Sequence, residues 1–340
     1  MPDAPVTLRR SDLPLVDRYD CAMLDLDGVV YVGPAVVDGV PGVLCRARNR
    51  GMALAFVTNN ASRTPHSVAE HLRKLGIEVS PADIVTSAQA AARELAQRLD
   101  AGAKVLVVGG EGLRVAIQEE GLTPVSEAAD DPVAVAQGFD RSVGWAHLAQ
   151  ATYAIRAGAL WVAANLDLTV PTAGGIAPGN GTLVNAVAAA VGTGPAVVAG
   201  KPYRPLFDET VRRVSCQRPI VVGDRLDTDI EGANVCEADS LLVMTGVTGL
   251  PALCAATPAQ RPTYVAWTME GLLAAHPVPR RTVEGFELNG WRARVGDGHV
   301  LIAETGGDRS DGLRVVVSAA WAWRDEDESR EPATVAAGVI

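Results

Sequence analysis

Short apolar runs of four to seven residues alternate along the chain with longer segments whose apolar positions recur at helical spacing. The runs are Cys21 to Leu26, Met52 to Thr58, Val105 to Val108, Val133 to Gln137, Leu160 to Asn165, Ala196 to Ala199, Ile220 to Gly223, Ser240 to Met244 and Thr263 to Trp267. They resemble buried strands, short and bounded by turn residues. Helical spacing over Ser67 to Leu75, Ala88 to Leu99, Thr182 to Val191, Pro205 to Val214 and Thr228 to Asn234 predicts helices between them. Strands alternating with helices predict an α/β architecture built on a doubly wound, mainly parallel sheet. No fixed-period repeat is present, which argues against a solenoid.

The rhythm changes near the end. After the proline-rich His276 to Arg281, the segments Phe286 to Gly307 and Leu313 to Trp323 read as two or three hairpin-like strands, with Gly306 to Gly312 as a turn. A small β-rich appendage over 278–340 is expected, and the charge run from Asp325 to Gly338 reads as a solvated tail.

Composition narrows the picture. A length of 340 residues suggests two or three domains, and 48% hydrophobic content supplies ample core material. The formal charge of -10 disfavours non-specific binding to nucleic acid or anionic membranes, so a phosphate pocket needs its own positive charge. No apolar stretch is long enough to span a bilayer, and the first twenty residues lack a signal-peptide core, so a cytoplasmic location is expected. The five cysteines are scattered and set mostly among apolar residues, which favours core packing over zinc or disulfides.

Candidate chemistry sits on the ends of the apolar runs. Asp25 and Asp27 close the first run, and alternation along a strand would point both carboxylates the same way, where each raises the other's cost of ionising. A cation, a shared proton or solvation at a turn around Gly28 could each offset that repulsion. Three further run ends carry Thr58-Asn59-Asn60, Gly200-Lys201-Pro202 and Asp224 to Asp229. In a doubly wound sheet such positions converge, because ligands gather at the carboxyl ends of the strands. Asp25 and Asp224 offer the hard oxygen ligands that Mg²⁺ prefers, and a metal-bound carboxylate stays ionised and can attack phosphorus. A second carboxyl group can protonate the departing alkoxide and later activate water. Thr58 and Asn59 can donate to phosphoryl oxygens whose charge Lys201 compensates.

The stretches DLDGVVY, VTNNASR, GKPYRPLF and GDRLDTDIEGAN resemble, in order and spacing, the motifs of the haloacid dehalogenase superfamily, in its p-nitrophenylphosphatase-like branch. The resemblance covers roughly 18–275, and the β-rich ending resembles that of actinobacterial members. It implies a core over 18–87 and 193–277, with an inserted α/β cap over 88–192 that closes over the pocket and selects the leaving group. It also implies Asp25 as nucleophile and Asp27 as acid/base whose main-chain carbonyl binds metal. Thr58, Asn59 and Lys201 become phosphate-binding residues, and Asp224 and Asp229 join Asp25 and Asp27 at a Mg²⁺ site. The expected reaction is hydrolysis of a small phosphorylated metabolite, glycerol 3-phosphate foremost, through an aspartyl-phosphate. A phosphomutase or phosphotransferase on the same scaffold is the alternative. No nucleic-acid or membrane partner is expected, and a homo-oligomer is compatible with this reading.

Each motif taken singly has a plainer explanation. An acidic pair before glycine often makes an ordinary turn, a lone lysine is usually a surface residue, and Asp227 or Thr228 could simply cap a helix. Four such features in order, each after a run, favour a site. His66, His71, His147, His276 and His299 lack metal-like spacing and read as surface or capping residues. Gly109 to Gly112 reads as a strand-to-helix turn, and the glycines of Asn165 to Gly181 as turn formers within the cap.

Overall fold

The computed structural model describes residues 7–172, 174–327, 329–335 and 340. Contacts divide the chain into two compact units, Met1–Leu54 with Cys216–Ile340, and Ala55–Ser215.

The first unit is built on parallel strands in the order Tyr264–Ala266, Asp239–Val243, Pro219–Gly223 and Cys21–Leu24. Cys21–Leu24 is buried at every position, as a strand covered on both faces must be, which explains its unbroken apolar sequence. Beyond it, the Ala53 N–H donates to the Asp20 carbonyl at 2.9 Å and begins the Ala53–Thr58 strand.

The expected appendage is present as a four-stranded antiparallel sheet, Arg280–Thr282, Gly285–Leu288, Trp291–Gly296 and His299–Glu304. The segment Leu313 to Trp323, expected to be strand, is instead the heart of a helix, Arg309–Asp325. Gly306 to Gly312 is correspondingly its start rather than a hairpin turn, with the Asp308 side chain accepting the Ser310 N–H at 2.8 Å. The run Val315-Val316-Val317 hides the helical period because this helix is buried nearly all round, between the antiparallel sheet and the parallel strands. Leu313, Val316, Val317 and Trp321 share one core with Leu242 and Val265 of the parallel strands, so the ending packs on the unit's core.

The tail is not simply solvated. Ala333 and Val335 are buried, and Thr334 pairs its main chain with Gly298 and Val300. Glu328 and 336–338 of the expected tail, like Ala173 of the expected cap segment, lie outside the described residues.

The second unit contains a five-stranded parallel sheet in the order Val197–Val198, Leu160–Ala163, Ala134–Gln137, Lys104–Val108 and Thr123–Val125. The strand before Lys201 therefore belongs to this sheet, beside Leu160–Ala163, and not among the parallel strands of the first unit. Helices Glu111–Glu119, Trp145–Arg156 and Asn180–Val191 follow or flank its strands, and Trp161, Val135, Val184 and Val187 fill its core. The end of Ala53–Thr58 pairs in parallel with Ile84–Thr86, a strand too short to stand out in the sequence. Gly109 to Gly112 is the strand-to-helix turn expected, drawn tight against Ala61 to Arg63: a Cβ at Gly112 would lie 2.5 Å from the Arg63 carbonyl oxygen.

Candidate active site

In the first unit the Cys21–Leu24 strand stops one residue before Asp25, whose N–H makes a last link to the Val222 carbonyl at 2.9 Å. The chain then folds back, with the N–H groups of Val30 and Tyr31 both donating to the Leu26 carbonyl. The strand therefore ends before the acidic pair, and the alternation invoked for Asp25 and Asp27 lies beyond it. Asp25 is half-buried, whereas Asp27 is exposed and accepts the Tyr31 hydroxyl at 3.4 Å.

Asp25 instead meets the acids that follow Pro219–Gly223. Asp25, Asp224 and Asp229 each place a carboxylate oxygen within 4.8 Å of the others. Asp224 is completely buried; its Oδ2 accepts the Val247 N–H at 2.6 Å and its carbonyl the Thr248 N–H at 3.2 Å. Asp229, also buried, closes a π-helical turn over Leu226–Ile230 by accepting the Arg225 N–H at 3.1 Å. The residue at the amino end of this turn is Arg225, with no side-chain cap, so neither Asp227 nor Thr228 plays the capping role. Asp227 takes both arms of the Arg225 guanidinium, at 3.1 and 2.8 Å, which holds its carboxyl below the usual range.

Three carboxylates this close repel one another, and burial magnifies the repulsion. A hard divalent cation with oxygen ligands offsets it, and the donor set suits one. The backbone closes tightly around this set. A Cβ on Gly28 would come within 2.5 Å of the Asp224 carboxylate, and one on Gly246 within 2.0 Å. The fit tolerates no side chain at either position.

In the second unit the Asn59 side chain ties three loops together. Its Oδ1 accepts the Lys201 N–H at 2.8 Å, which turns Nδ2 toward the Lys201 carbonyl and the Asp167 carboxylate, each at 3.2 Å. The Asn59 carbonyl accepts both the Ser87 hydroxyl and the Asn165 amide at 2.6 Å. Thr58 is buried with its Oγ1 accepting the Asn60 N–H at 3.1 Å, and the Lys201 ammonium, 5% exposed, reaches the Val57 carbonyl at 3.4 Å. Thr58, Asn59 and Lys201 are brought together, as their order after apolar runs predicts.

Asp167, Asn165 and Ser87 were not singled out by sequence. Asn165 and Asp167 had a usable signal, since they follow directly on an apolar run as Asp25 and Asp224 do. His276, expected at the surface, is buried against Tyr264 and Arg314. Of the cysteines, Cys21 and Cys254 are buried, Cys45 is exposed and the other two are half-buried.

A haloacid dehalogenase-like hydrolase family model matches residues 22–123, and a HAD-hydrolase-like model matches 198–272. The D-glycerol 3-phosphate phosphatase of Mycobacterium tuberculosis is 43% identical over 338 residues, covering 95% of this chain and 92% of that protein. An acid sugar phosphatase of Staphylococcus haemolyticus is 36% identical over 250 residues, covering 73% and 92%. Among solved structures, glycerol phosphate phosphatase from Mycobacterium tuberculosis in complex with magnesium superposes with a TM-score of 0.85 at 42% identity, covering 95% of this chain and 94% of the other. The p-nitrophenyl phosphatase from Archaeoglobus fulgidus gives 0.70 at 27% identity, covering 75% and 98%. The chain belongs to the haloacid dehalogenase-like hydrolases.

Proposed function

We propose that this protein is a Mg²⁺-dependent phosphatase that hydrolyses glycerol 3-phosphate through an aspartyl-phosphate on Asp25. The cluster of Asp25, Asp224 and Asp229 carries this reading, since a half-buried carboxylate beside two buried ones is poised to bind a divalent cation and to stay ionised. The 43% identity to a D-glycerol 3-phosphate phosphatase, along nearly the whole length of both chains, supports the substrate.

Mg²⁺ would be held by Asp25, Asp224, the Asp27 carbonyl and Asp229, and would supply Lewis-acid stabilisation of the phosphoryl oxygens. Asp25 attacks phosphorus, and the P–O bond to the glycerol oxygen breaks. Asp27, which is exposed, protonates that oxygen and then takes a proton from the water that cleaves the acyl phosphate. Thr58 donates its hydroxyl to the phosphoryl group and Lys201 offsets its charge. Asn59 acts chiefly by fixing the Lys201 loop, because both hydrogens of its amide already have acceptors.

Residues 88–192 serve as the inserted cap that selects the leaving group, and a parallel sheet beginning at Lys104 supports an independent layer there. The core on this reading is 18–87 with 193–277, although Val197–Val198 within it pairs with Leu160–Ala163 of the cap sheet, and the ending over 278–340 follows. Among the described residues no helix is long and apolar enough to cross a membrane, and the reading assigns a cytoplasmic enzyme of small phosphorylated metabolites, without nucleic-acid partners.

The test is a phosphate-release panel of metabolite monoesters with Mg²⁺ or with chelator. Glycerol 3-phosphate should lead the panel, with Mg²⁺ dependence and loss of activity in Asp25→Asn. Equal release by Asp25→Asn would remove the nucleophile assignment, and transfer to an added acceptor in preference to water would replace hydrolase by phosphotransferase.

A further inference from the structure

Asp25 and Asp224 follow adjacent parallel strands, and a third strand lies beside them. Asp239–Val243 pairs with Pro219–Gly223, and its run ends with the Met244 N–H donating to the Ala266 carbonyl at 3.1 Å. Thr245 is the next residue, half-buried. Like Asp25 and Asp224 it follows directly on an apolar run, at the carboxyl edge of the sheet where ligands gather.

Residues 245–248 make three hydrogen bonds to the two segments that carry the candidate metal ligands. The Val247 N–H donates to Asp224 Oδ2 at 2.6 Å, and the Thr248 N–H to the Asp224 carbonyl at 3.2 Å. The third comes from a side chain: Thr245 Oγ1 donates to the Gly28 carbonyl at 2.6 Å, across 217 positions of sequence. Gly28 is buried, so its carbonyl depends on a donor from the protein. Its N–H is taken up locally, by the Tyr31 carbonyl at 2.8 Å. The peptide is planar with C=O and N–H opposed, so that bond aims the Asp27 carbonyl away from Tyr31. Thr245 anchors the other side of the same glycine. With φ of +88° and no side chain, Gly28 does little to hold the turn by itself.

We propose that Thr245 is a positioning residue of the divalent-cation site, locking the turn that presents the Asp27 carbonyl in register with Asp224. The inference rests on the Mg²⁺ reading above and adds what holds its main-chain ligand. A carbonyl ligand is not steered by a side chain of its own. Its direction is set by the hydrogen bonds of the neighbouring peptide groups, and for Asp27 these are the bonds of Gly28. Thr245 therefore acts through Gly28 and not on the cation itself.

Mn²⁺ binding to the metal-stripped full chain, read from the electron paramagnetic resonance signal of the free ion, tests this. Thr245→Val keeps the shape of threonine and removes the hydroxyl, and should weaken binding about tenfold, the scale on which partners behind a metal ligand act. Thr245→Ala removes the hydroxyl without a second methyl group and should bind as weakly, so the outcome does not hang on the folding of one variant. Thr245→Ser keeps the donor and should recover most of the loss. Thr248→Val makes the same exchange at a buried threonine of the same turn, whose side chain makes no hydrogen bond among the described residues, and should match wild type. Wild-type affinity in Thr245→Val and Thr245→Ala would remove the role of Thr245 and leave the metal site standing. Equal losses in Thr245→Val and Thr248→Val would also overturn it, as a general loosening of the turn. No Mn²⁺ bound by wild type would remove the Mg²⁺ reading itself, and this inference with it.

Discussion

Replacing Gly28 by alanine should disable the enzyme through Asp224, a residue 196 positions away in sequence but in contact in space. Gly28 has φ of +88°, so alanine there costs about 1 kcal/mol in backbone strain alone. The larger effect is steric. The new Cβ would stand 2.5 Å from an Asp224 oxygen where ordinary contact begins near 3.4 Å, so the carboxylate must retreat by about 0.9 Å. Asp224 is fully buried and bonded to the Val247 N–H, and the Gly246 backbone closes its other side. A retreat must therefore break the three-carboxylate cluster. A misplacement near 1 Å costs on the order of 100-fold in rate, or about 3 kcal/mol of transition-state stabilisation. The control is Gly33→Ala, at φ of +57° with nothing within 4 Å of the added Cβ, which shares the strain but not the collision. Initial rates of phosphate release, measured across Mg²⁺ concentrations, should fall steeply and shift to higher Mg²⁺ for Gly28→Ala only. If Gly28→Ala stays within about twofold of wild type at limiting Mg²⁺, or both variants lose equally, the reasoning is wrong.

Three further outcomes are expected. His276 is 1% exposed, with Nε2 bonded to the Gly271 carbonyl at 2.9 Å and Nδ1 facing the Arg314 guanidinium at 3.3 Å, and burial foremost pushes its pKa down to about 4. The unfolded chain protonates this histidine near its ordinary value of about 6.5, so its contribution to stability is intact above that pH and fades by about 3 kcal/mol as pH falls through 4; urea unfolding of wild type and His276→Gln should differ in pH slope, and parallel slopes would contradict it. Arg261, fully buried, grips both Asp325 oxygens at 2.7 Å and lies 5.1 Å from the Trp321 ring centroid, so Arg261→Ala should destabilise the fold by about 3–5 kcal/mol in chemical denaturation, and a loss below 1 kcal/mol would show the pair to be dispensable. Asn59→Ala removes the acceptor of the Lys201 N–H and should lower kcat/KM by about tenfold or more, and unchanged steady-state kinetics would deny Asn59 its positioning role.

Much of this was legible in the chain. Each of the nine apolar runs between Cys21 and Trp267 contains a strand, because buried parallel strands need continuous apolar sequence. The same rule misled at Leu313 to Trp323, where burial on all sides erased the helical period and three successive valines imitated a strand. The proposed chemistry rests on polar residues placed directly after apolar runs, and Asp224, Thr58 and Lys201 were singled out that way. Geometry that depends on where a strand stops was not. Asp25 and Asp27 differ in exposure and lie beyond the strand, which ends at Leu24, a boundary that sequence locates only to within a few residues. Asp167 was missed for a different reason, since its partner Asn59 lies 108 residues away and only the folded chain joins them.

The central claim is that Asp25 carries the phosphoryl group during turnover. Rapid acid quenching of the enzyme during hydrolysis of glycerol 3-phosphate with Mg²⁺, followed by peptide mass spectrometry, measures this directly. The account predicts a phosphoryl group on the peptide containing Asp25, removed by hydroxylamine and absent from Asp25→Asn. Rapid product release with no phosphorylated peptide, or with the group on another residue, would contradict it.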